Sequence, residues 1–475
     1  MMRVAEAARV LRGSTTGADC EFTGVSTDSR SIGKGDLFVA LRGEKFDGHE
    51  FVAAVARARA AAAMVDRAFD ATGVDLPLIV VEDTRLALGE LARHWRAQFA
   101  PVLIGVAGSN GKTTTKEMLS SILRAAAGDE HVLATQGNLN NDIGLPLTLL
   151  RLRSVHRWCA IELGMNHKGE IGYLAQIARP TVAVVTNAQR EHLEFMGSVD
   201  EVAEENAAIL RALPDGGTAV INADDEHVET FRSAAGARRK VDFALDRGAS
   251  VTGRYELMPL SSSIRIQCGN SEAFATLAIP GVHNVMNALA AAACAYAAGI
   301  SAEAIGRGLS AFRPYTGRLQ VKQSCEGMTV IDDTYNANPD SVRAAIDVLA
   351  GASGRTLLIL GDMGEVGDEG PDFHSEVGRY AKERGISSVL ALGESTAHTV
   401  AAFGPDARHF ATIEDLTEAI ARVHDKGTTV LVKGSRFMRM ERVVDALTGV
   451  AGKRTEESNA ESNAASNAGR TEETH

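Results

Sequence analysis

Short apolar runs recur along the chain, and the segments between them carry apolar residues every three or four positions. In residues 1–98 the runs "DLFVAL" and "PLIVVED" predict strands. "MMRVAEAARVLRG" predicts an amphipathic helix, and "FVAAVARARAAAAMV" an alanine-rich one. Over residues 99–313 the alternation becomes regular. "VLIGVA", "WCAIELG", "TVAVVTN" and "GTAVIN" have strand length, are apolar almost throughout, and are separated by helical patterns. Strands apolar on both sides belong to a parallel sheet covered on both faces. The helix "NVMNALAAAACAYAAG" closes this block. Residues 314–451 repeat the theme with "MTVIDD", "TLLILGD", "SVLALG" and "TTVLVKG", which predicts a second doubly wound unit. The expected fold is therefore α/β in three domains: a small N-terminal one, a central doubly wound sheet and a Rossmann-like C-terminal one. Residues 452–475 repeat Ser-Asn-Ala, carry no large apolar side chain, and are expected to be a disordered tail.

Composition narrows the function. A net charge of -12 argues against a nucleic-acid binder that works by general phosphate attraction. The five cysteines are scattered, with no C-x-x-C pair, so neither a disulfide framework nor a zinc site is expected. Charges interrupt the N-terminal segment throughout, unlike a signal peptide, and no apolar run reaches the ~18 residues of a membrane span. A cytoplasmic protein, working as a monomer, is the expectation.

The chemistry starts at "GVAGSNGKTTT", residues 105–115, between a predicted strand and a predicted helix. The strict phosphate-loop pattern G-x-x-x-x-G-K-[ST] fails by one place, because Val106 stands where the first glycine belongs. The context is still that of a phosphate loop. Backbone N–H groups of Gly108, Ser109, Asn110 and Gly111, the helix N-terminus with Thr113 and Thr114, and the Lys112 ammonium would converge on phosphate oxygens. The Thr113 hydroxyl would meet Mg²⁺, and Glu162, ending the next strand, is the carboxylate placed to hold that ion. His192 follows a further strand, at the carboxyl edge where doubly wound sheets bind ligands. Glu162 can also be read as a plain strand end, and His192 as a hydrogen-bonded loop residue.

In order and spacing, "GSNGKT", "ELGMN", "TNAQREHLEFMGS", "GVHNVMNALAA", "YTGRLQV" and "DDTYNANPDS" resemble the Mur ligases over about residues 25–445. Within that family, "TQGNLNNDIGLPLTLL", "DDTYNANPDS" and "LGDMGEVGDEG" are similar to the branch that adds D-alanyl-D-alanine to UDP-N-acetylmuramoyl-tripeptide. The resemblance implies ATP and Mg²⁺, an acyl-phosphate intermediate, and catalytic roles for Lys112, Glu162, His192 and Arg318. It implies that Thr113, Glu162 and His192 hold metal, that Asn284 and Asn287 contact adenine, that Arg318 meets the γ-phosphate, and that Asp333 takes the ribose hydroxyls. Asp28, Ser29 and Arg30 are implied for the UDP moiety, and Asn138, Asn140 and Asn141 for the sugar-peptide or its carboxylate. Asn336, Asn338, Lys433 and Ser435 are implied for the nucleotide or the incoming dipeptide. Several of these have structural readings too: "NANPDS" is a good turn with Asp340 as helix cap, and the Asn-rich loop can be a turn. The resemblance further implies domain closure about a hinge near Pro314–Gly317. Many relatives place a carbamylated lysine where this chain has Asn206. That departure implies a carbamate-free site, with a weaker second metal or one held through water by Glu204 or Glu205. The branch adding diaminopimelate usually carries D-N-P-R, which is absent here, and folylpolyglutamate synthetase lacks the N-terminal element. A phosphate-loop switch protein would leave both outer domains unexplained.

Overall fold

The computed structural model describes residues 1–43, 46–324, 326–421 and 426–449. The 452–475 tail therefore lies outside the described residues. The fold is α/β, built on three large sheets, with a two-stranded antiparallel ribbon of Met2–Arg3 and Glu21–Phe22 beside them among the described residues.

A central nine-stranded sheet organises the molecule. From one edge its strands are Ser271–Leu277, Ser261–Cys268, Val251–Met258, Arg239–Ala244, Thr218–Asn222, Val182–Val185, Val102–Ala107, Trp158–Glu162 and Val132–Ala134. Neighbours are parallel from Val132–Ala134 through Val251–Met258. Val251–Met258, Ser261–Cys268 and Ser271–Leu277 form an antiparallel meander. The sequence reading named no meander, although Ile264, Ile266 and Cys268 alternate with exposed or half-exposed neighbours.

Period-two alternation splits the central sheet into two cores. Ile104 and Val106 point into a cluster continuous with the helix Val282–Ala297 and, through Val342 and Ile346, with the C-terminal unit. Leu103 and Ala107, on the other face, join a cluster that reaches Met2, Leu37 and Leu88 of the N-terminal unit. Each outer unit is thus packed on its own face of the central one.

The N-terminal sheet runs Ser14–Thr16, Leu78–Val81, Ala62–Asp66, Asp36–Val39, Gly24–Ser26, with only the first strand antiparallel. Here the alanine-rich helix is corrected. Helix spans only Val52–Arg57, Arg59 turns the chain at φ 64°, and Ala62–Asp66 is a strand. Ala62, Ala63, Met64 and Val65 are wholly buried between two paired strands. Tertiary pairing overrides alanine's helix propensity.

The C-terminal sheet orders Gln320–Gln323, Thr329–Asp333, Thr428–Lys433, Arg355–Gly361, Ser388–Leu392 and Ala407–Phe410, antiparallel only at the first pair. Its helix Pro339–Ala350 is capped by Asn338, whose side chain accepts from the Ser341 amide at 2.8 Å. Asp340, the expected cap, instead binds Arg190 of the central unit. Among the described residues no helix is long and apolar enough to cross a membrane.

Candidate active site

The strand Val102–Ala107 ends at the carboxyl edge of the central sheet and turns into the helix Lys112–Ala127. Gly108 and Gly111 permit the turn, with φ of 126° and 85°. A Cβ on Gly111 would also collide with the Asn287 amide. The loop is braced from beside and beneath. Gly108 N–H donates to Asn206 Oδ1 at 2.7 Å, Ser109 N–H to Asn187 O at 3.0 Å, and Asn110 N–H to Asn187 Oδ1 at 2.9 Å. Three of the four loop amides expected on phosphate are therefore spent on the protein itself in this structure. The donors left for an anion are the Gly111 N–H and those of the helix's first turn, Lys112–Thr114, which lack intrahelical partners.

Lys112 is curled over the loop: Nζ donates to Gly108 O at 2.6 Å, Ser109 O at 2.9 Å and Glu191 Oε1 at 2.7 Å. Thr113, Glu162 and Asn140 meet as a group. Glu162 Oε1 accepts from Thr113 Oγ1 at 3.2 Å and from Asn140 Nδ2 at 2.8 Å. Its Oε2 is buried with no hydrogen-bond partner among the described residues. Arg318 arrives from the junction before the C-terminal sheet, stacks 3.9 Å over the Tyr335 ring, and reaches Thr113 Oγ1 at 3.4 Å. His192, at φ 52°, sets Nδ1 2.6 Å from Glu365 Oε2, close enough for an ion pair but poorly aligned for a hydrogen bond.

Two cavities meet at this loop. One, of about 730 Å³, is lined by Thr114, Asn284, Asn287, Asp225, Asp333 and Arg343. Asn287 bridges Thr115 Oγ1 at 3.3 Å to Asn284 Oδ1 at 3.1 Å, so the expected adenine pair is one buried unit. Asp333 accepts from Leu319 N–H at 3.2 Å and from Lys433 Nζ at 2.6 Å. Burial lowers the Lys433 pKa while Asp333 opposes the shift. Ribose binding at Asp333 would thus engage a carboxylate already paired. The second cavity, of about 1120 Å³, touches all three units and includes Asn138, Asn140, Asn141, Asn336, Asn338 and Ser435. Within it Asn141 braces the following helix through the Gly144 amide at 2.9 Å, and Ser435 Oγ accepts from Gly364 N–H at 2.7 Å. Asn110, Gly111, Arg318, Ser341 and Lys433 line both cavities.

Some expected residues stand elsewhere. Asp28, Ser29 and Arg30 line neither cavity. Arg30 pairs with Asp28 at 2.8 Å on the surface, and that guanidinium holds the Asp28 carboxyl down to about 2. Asn206 turns beneath the loop rather than toward a metal, and Glu205 is occupied by the Gly169 and Ile171 amides, both at 2.8 Å. Glu204 pairs with Arg211. Neither glutamate lines either cavity, so the structure does not bring them to the phosphate end of the site.

Sequence reasoning missed Glu191 and Arg190, although both adjoin His192 in "QREHLEF". Arg190 locks the central and C-terminal units together through Asp340 at 2.6 Å and Glu376 at 2.8 Å, and Arg343 shares Glu376 at 2.7 Å. Burial works against the Arg190 charge, but these two carboxylates raise its pKa.

A glycine loop at a helix start, a lysine, a buried carboxylate and a junction arginine between two cavities define a nucleotide-dependent enzyme of the phosphate-loop class. Comparison with known proteins specifies it. The Mur ligase middle domain matches residues 106–295, the Mur ligase glutamate ligase domain 317–436, and the Mur ligase family catalytic domain 21–96. The UDP-N-acetylmuramoyl-tripeptide–D-alanyl-D-alanine ligase of Escherichia coli K12 is 39% identical over 445 residues, covering 92% of this chain and 96% of that protein. The Bacillus subtilis 168 ligase of the same name is 34% identical over 454 residues, covering 93% and 97%. A crystal structure of MurF from Acinetobacter baumannii matches with a TM-score of 0.87 at 34% identity, covering 94% of this chain and 99% of that one. MurF ligase from Thermotoga maritima, in complex with ADP, matches at 0.79 and 27% identity, covering 91% and 98%. The chain belongs to the Mur ligase family.

Proposed function

We propose that this enzyme joins D-alanyl-D-alanine to the terminal carboxylate of UDP-N-acetylmuramoyl-tripeptide, with ATP as energy source. The product is the UDP-linked pentapeptide used for peptidoglycan. One observation carries the reading: the nucleotide-sized and acceptor-sized cavities share the phosphate loop and Arg318 as their common wall. A γ-phosphoryl group there would face both its donor and a carboxylate acceptor.

An amine does not displace oxide from a carboxylate at neutral pH. A tripeptide carboxylate oxygen therefore attacks the γ-phosphorus, the bond to the bridging oxygen breaks, and ADP leaves. The dipeptide amine then adds to the acyl-phosphate carbon, loses a proton, and expels inorganic phosphate that retains the carboxylate oxygen. Lys112, once released from Glu191 and the loop carbonyls, and Arg318 supply positive charge where the phosphoryl group passes. Asn140 and Asn138 orient the acceptor. Asn284 and Asn287 seat the base, Asp333 the ribose, and Asn336, Asn338, Lys433 and Ser435 the dipeptide side.

The residues fit Mg²⁺, a hard ion that takes few protein oxygens and completes its shell with phosphate and water. Thr113 and the unpartnered Glu162 Oε2 would hold it, with His192 near a second ion. When bound, it neutralises phosphate charge. Among the described residues no three acidic, histidine or cysteine side chains form a ready-made cage, in keeping with a site that phosphate completes. Units 1–98, 99–313 and 314–451 would serve UDP-sugar, ATP and dipeptide in turn, in a cytoplasmic monomer.

The test is isotopic. With ¹⁸O in the tripeptide's terminal carboxylate, one labelled oxygen should appear in inorganic phosphate, with ADP as co-product. Recovery of AMP and pyrophosphate would refute the scheme.

A further inference from the structure

One buried carboxylate has no role in that scheme. Glu191 lies in the loop after the strand Val182–Val185, its side chain only 11% exposed. Oε1 takes the Lys112 ammonium at 2.7 Å, and Oε2 is buried without a hydrogen-bond partner among the described residues. His192 Nε2 stands 3.7 Å from Oε1. Glu191 and Glu162, each with one such oxygen, line the same acceptor cavity.

We infer that Glu191 is an exchange carboxylate: it holds Lys112 while the nucleotide site is empty, and takes a divalent cation once Lys112 has moved onto phosphate. An ammonium has three N–H donors and no more. All three of Lys112's are spent, on Gly108 O, Ser109 O and Glu191, so serving a phosphate breaks at least one of these contacts, and Glu191, the anion that competes with phosphate for the same ammonium, is the partner given up. The lysine's departure strips a buried carboxylate of the only cation at hydrogen-bond distance among the described residues. A buried charge left unpaired is strongly unfavourable, so a new cation must replace the ammonium. The group that arrives with a nucleoside triphosphate is its divalent ion, which prefers carboxylate oxygen. Glu191 already presents a spare oxygen beside His192 and across the cavity from Glu162. Glu204 and Glu205 line neither cavity and hold Arg211 and the Gly169 and Ile171 amides instead. The exchange also orders the steps: without the cation, Glu191 competes with phosphate for Lys112.

This inference rests on the nucleotide-binding part of the proposed function, and its test reads binding rather than product. Glu191→Gln keeps shape and removes charge; Glu191→Asp keeps charge and shortens reach. Two affinities are measured on the full chain. One is ATP in excess EDTA, by calorimetry. The other is Mn²⁺ in the presence of a non-hydrolysable ATP analogue, by electron paramagnetic resonance. Glu191→Gln should bind metal-free ATP about tenfold more tightly, because Lys112 is released, and Mn²⁺ about tenfold more weakly, as loss of one charge-assisted contact requires. Glu191→Asp should recover part of the Mn²⁺ affinity. Metal-free ATP and Mn²⁺ weakening together would mark Glu191 as a structural brace and overturn the exchange. Unchanged Mn²⁺ affinity in Glu191→Gln would overturn it too, since His192 or solvent would then supply the counter-charge. Wild-type enzyme that still adds the dipeptide would leave the proposed function standing in either case.

Discussion

The phosphate end of the site and the segment expected to hold uridine are built in opposite ways. At the phosphate end, residues from separate strand ends and one helix end interlock: Gly108 on Asn206, Asn110 on Asn187, Thr113 on Glu162, Lys112 on Glu191. These groups are buried or nearly so, and their bonds fix the loop before any ligand arrives. Asp28 and Ser29 are half-buried and Arg30 exposed in one surface loop, and among the described residues the Arg30 guanidinium pairs with Asp28 alone. A preorganised site lends its energy to the transition state, whereas an exposed, self-paired one contributes to substrate capture. Substitutions at the two ends should therefore differ in kind as well as size.

The largest effect is expected at Lys112. Lys112→Ala should lower kcat by about 10² to 10³ or more, the scale for losing a charge that stabilises the transition state, with the chain still folded. Steady-state rates with a circular dichroism control check it; a change confined to KM would place Lys112 outside the chemistry. Next comes Asn206→Ala, which strands the buried Gly108 N–H and should cost about 1–3 kcal/mol of stability while weakening nucleotide binding. Thermal melts with and without ATP read both. Because Asn206 is a brace here and no lysine occupies its place, the wild-type enzyme should keep full activity when dissolved CO₂ is stripped.

At the exposed end, Arg30→Ala should leave the melting temperature unchanged, since exposed ion pairs contribute little to stability. It should raise KM for the UDP-tripeptide by roughly tenfold with kcat held, the signature of uniform binding. A drop in kcat alone would put Arg30 in the chemistry and erase the contrast. The smallest effect concerns the clamp between the central and C-terminal units. Arg190 holds the Glu376 carboxyl below its ordinary 4.5, and His192 does the same for Glu365. A depressed carboxylate stabilises the folded contact above its ordinary value and loses that contribution as pH falls through the lowered one. Small-angle scattering should thus show constant dimensions at neutral pH and expansion only below about pH 4.5, with Arg190→Ala expanded at neutral pH. Expansion of the wild type near neutrality would assign the contact to other groups.

The contrast also explains what was readable in the chain. Lys112, Thr113 and Glu162 follow from local rules: a strand, a glycine turn, a helix start, and a carboxylate ending the neighbouring strand. Those rules act within a few residues, so the sequence exposes them. Asn338 and Asn110 meet across 228 positions, and Arg190 reaches Asp340 across 150. Nothing in "NANPDS" announces that Asp340 leaves the helix cap to bind a distant arginine. Glu191 was hidden for another reason: its meaning lies in Lys112's posture without nucleotide, which no spacing encodes. The segment Ala62–Asp66 misled because alanine favours helix locally, while burial between two strands decided the outcome. The spacing to Asn206 located the position but not the direction of its side chain.

The central claim is that one phosphate loop serves two cavities, so that cleavage of ATP is spent on joining two substrates. Incubating the enzyme with ATP, Mg²⁺, D-alanyl-D-alanine and UDP-N-acetylmuramoyl-tripeptide, carrying either lysine or diaminopimelate as third residue, and weighing the product tests it most directly. The mass of at least one tripeptide should rise by one dipeptide less water, with one ADP and one phosphate formed per product. ATP consumed with no mass gain on either tripeptide would contradict it.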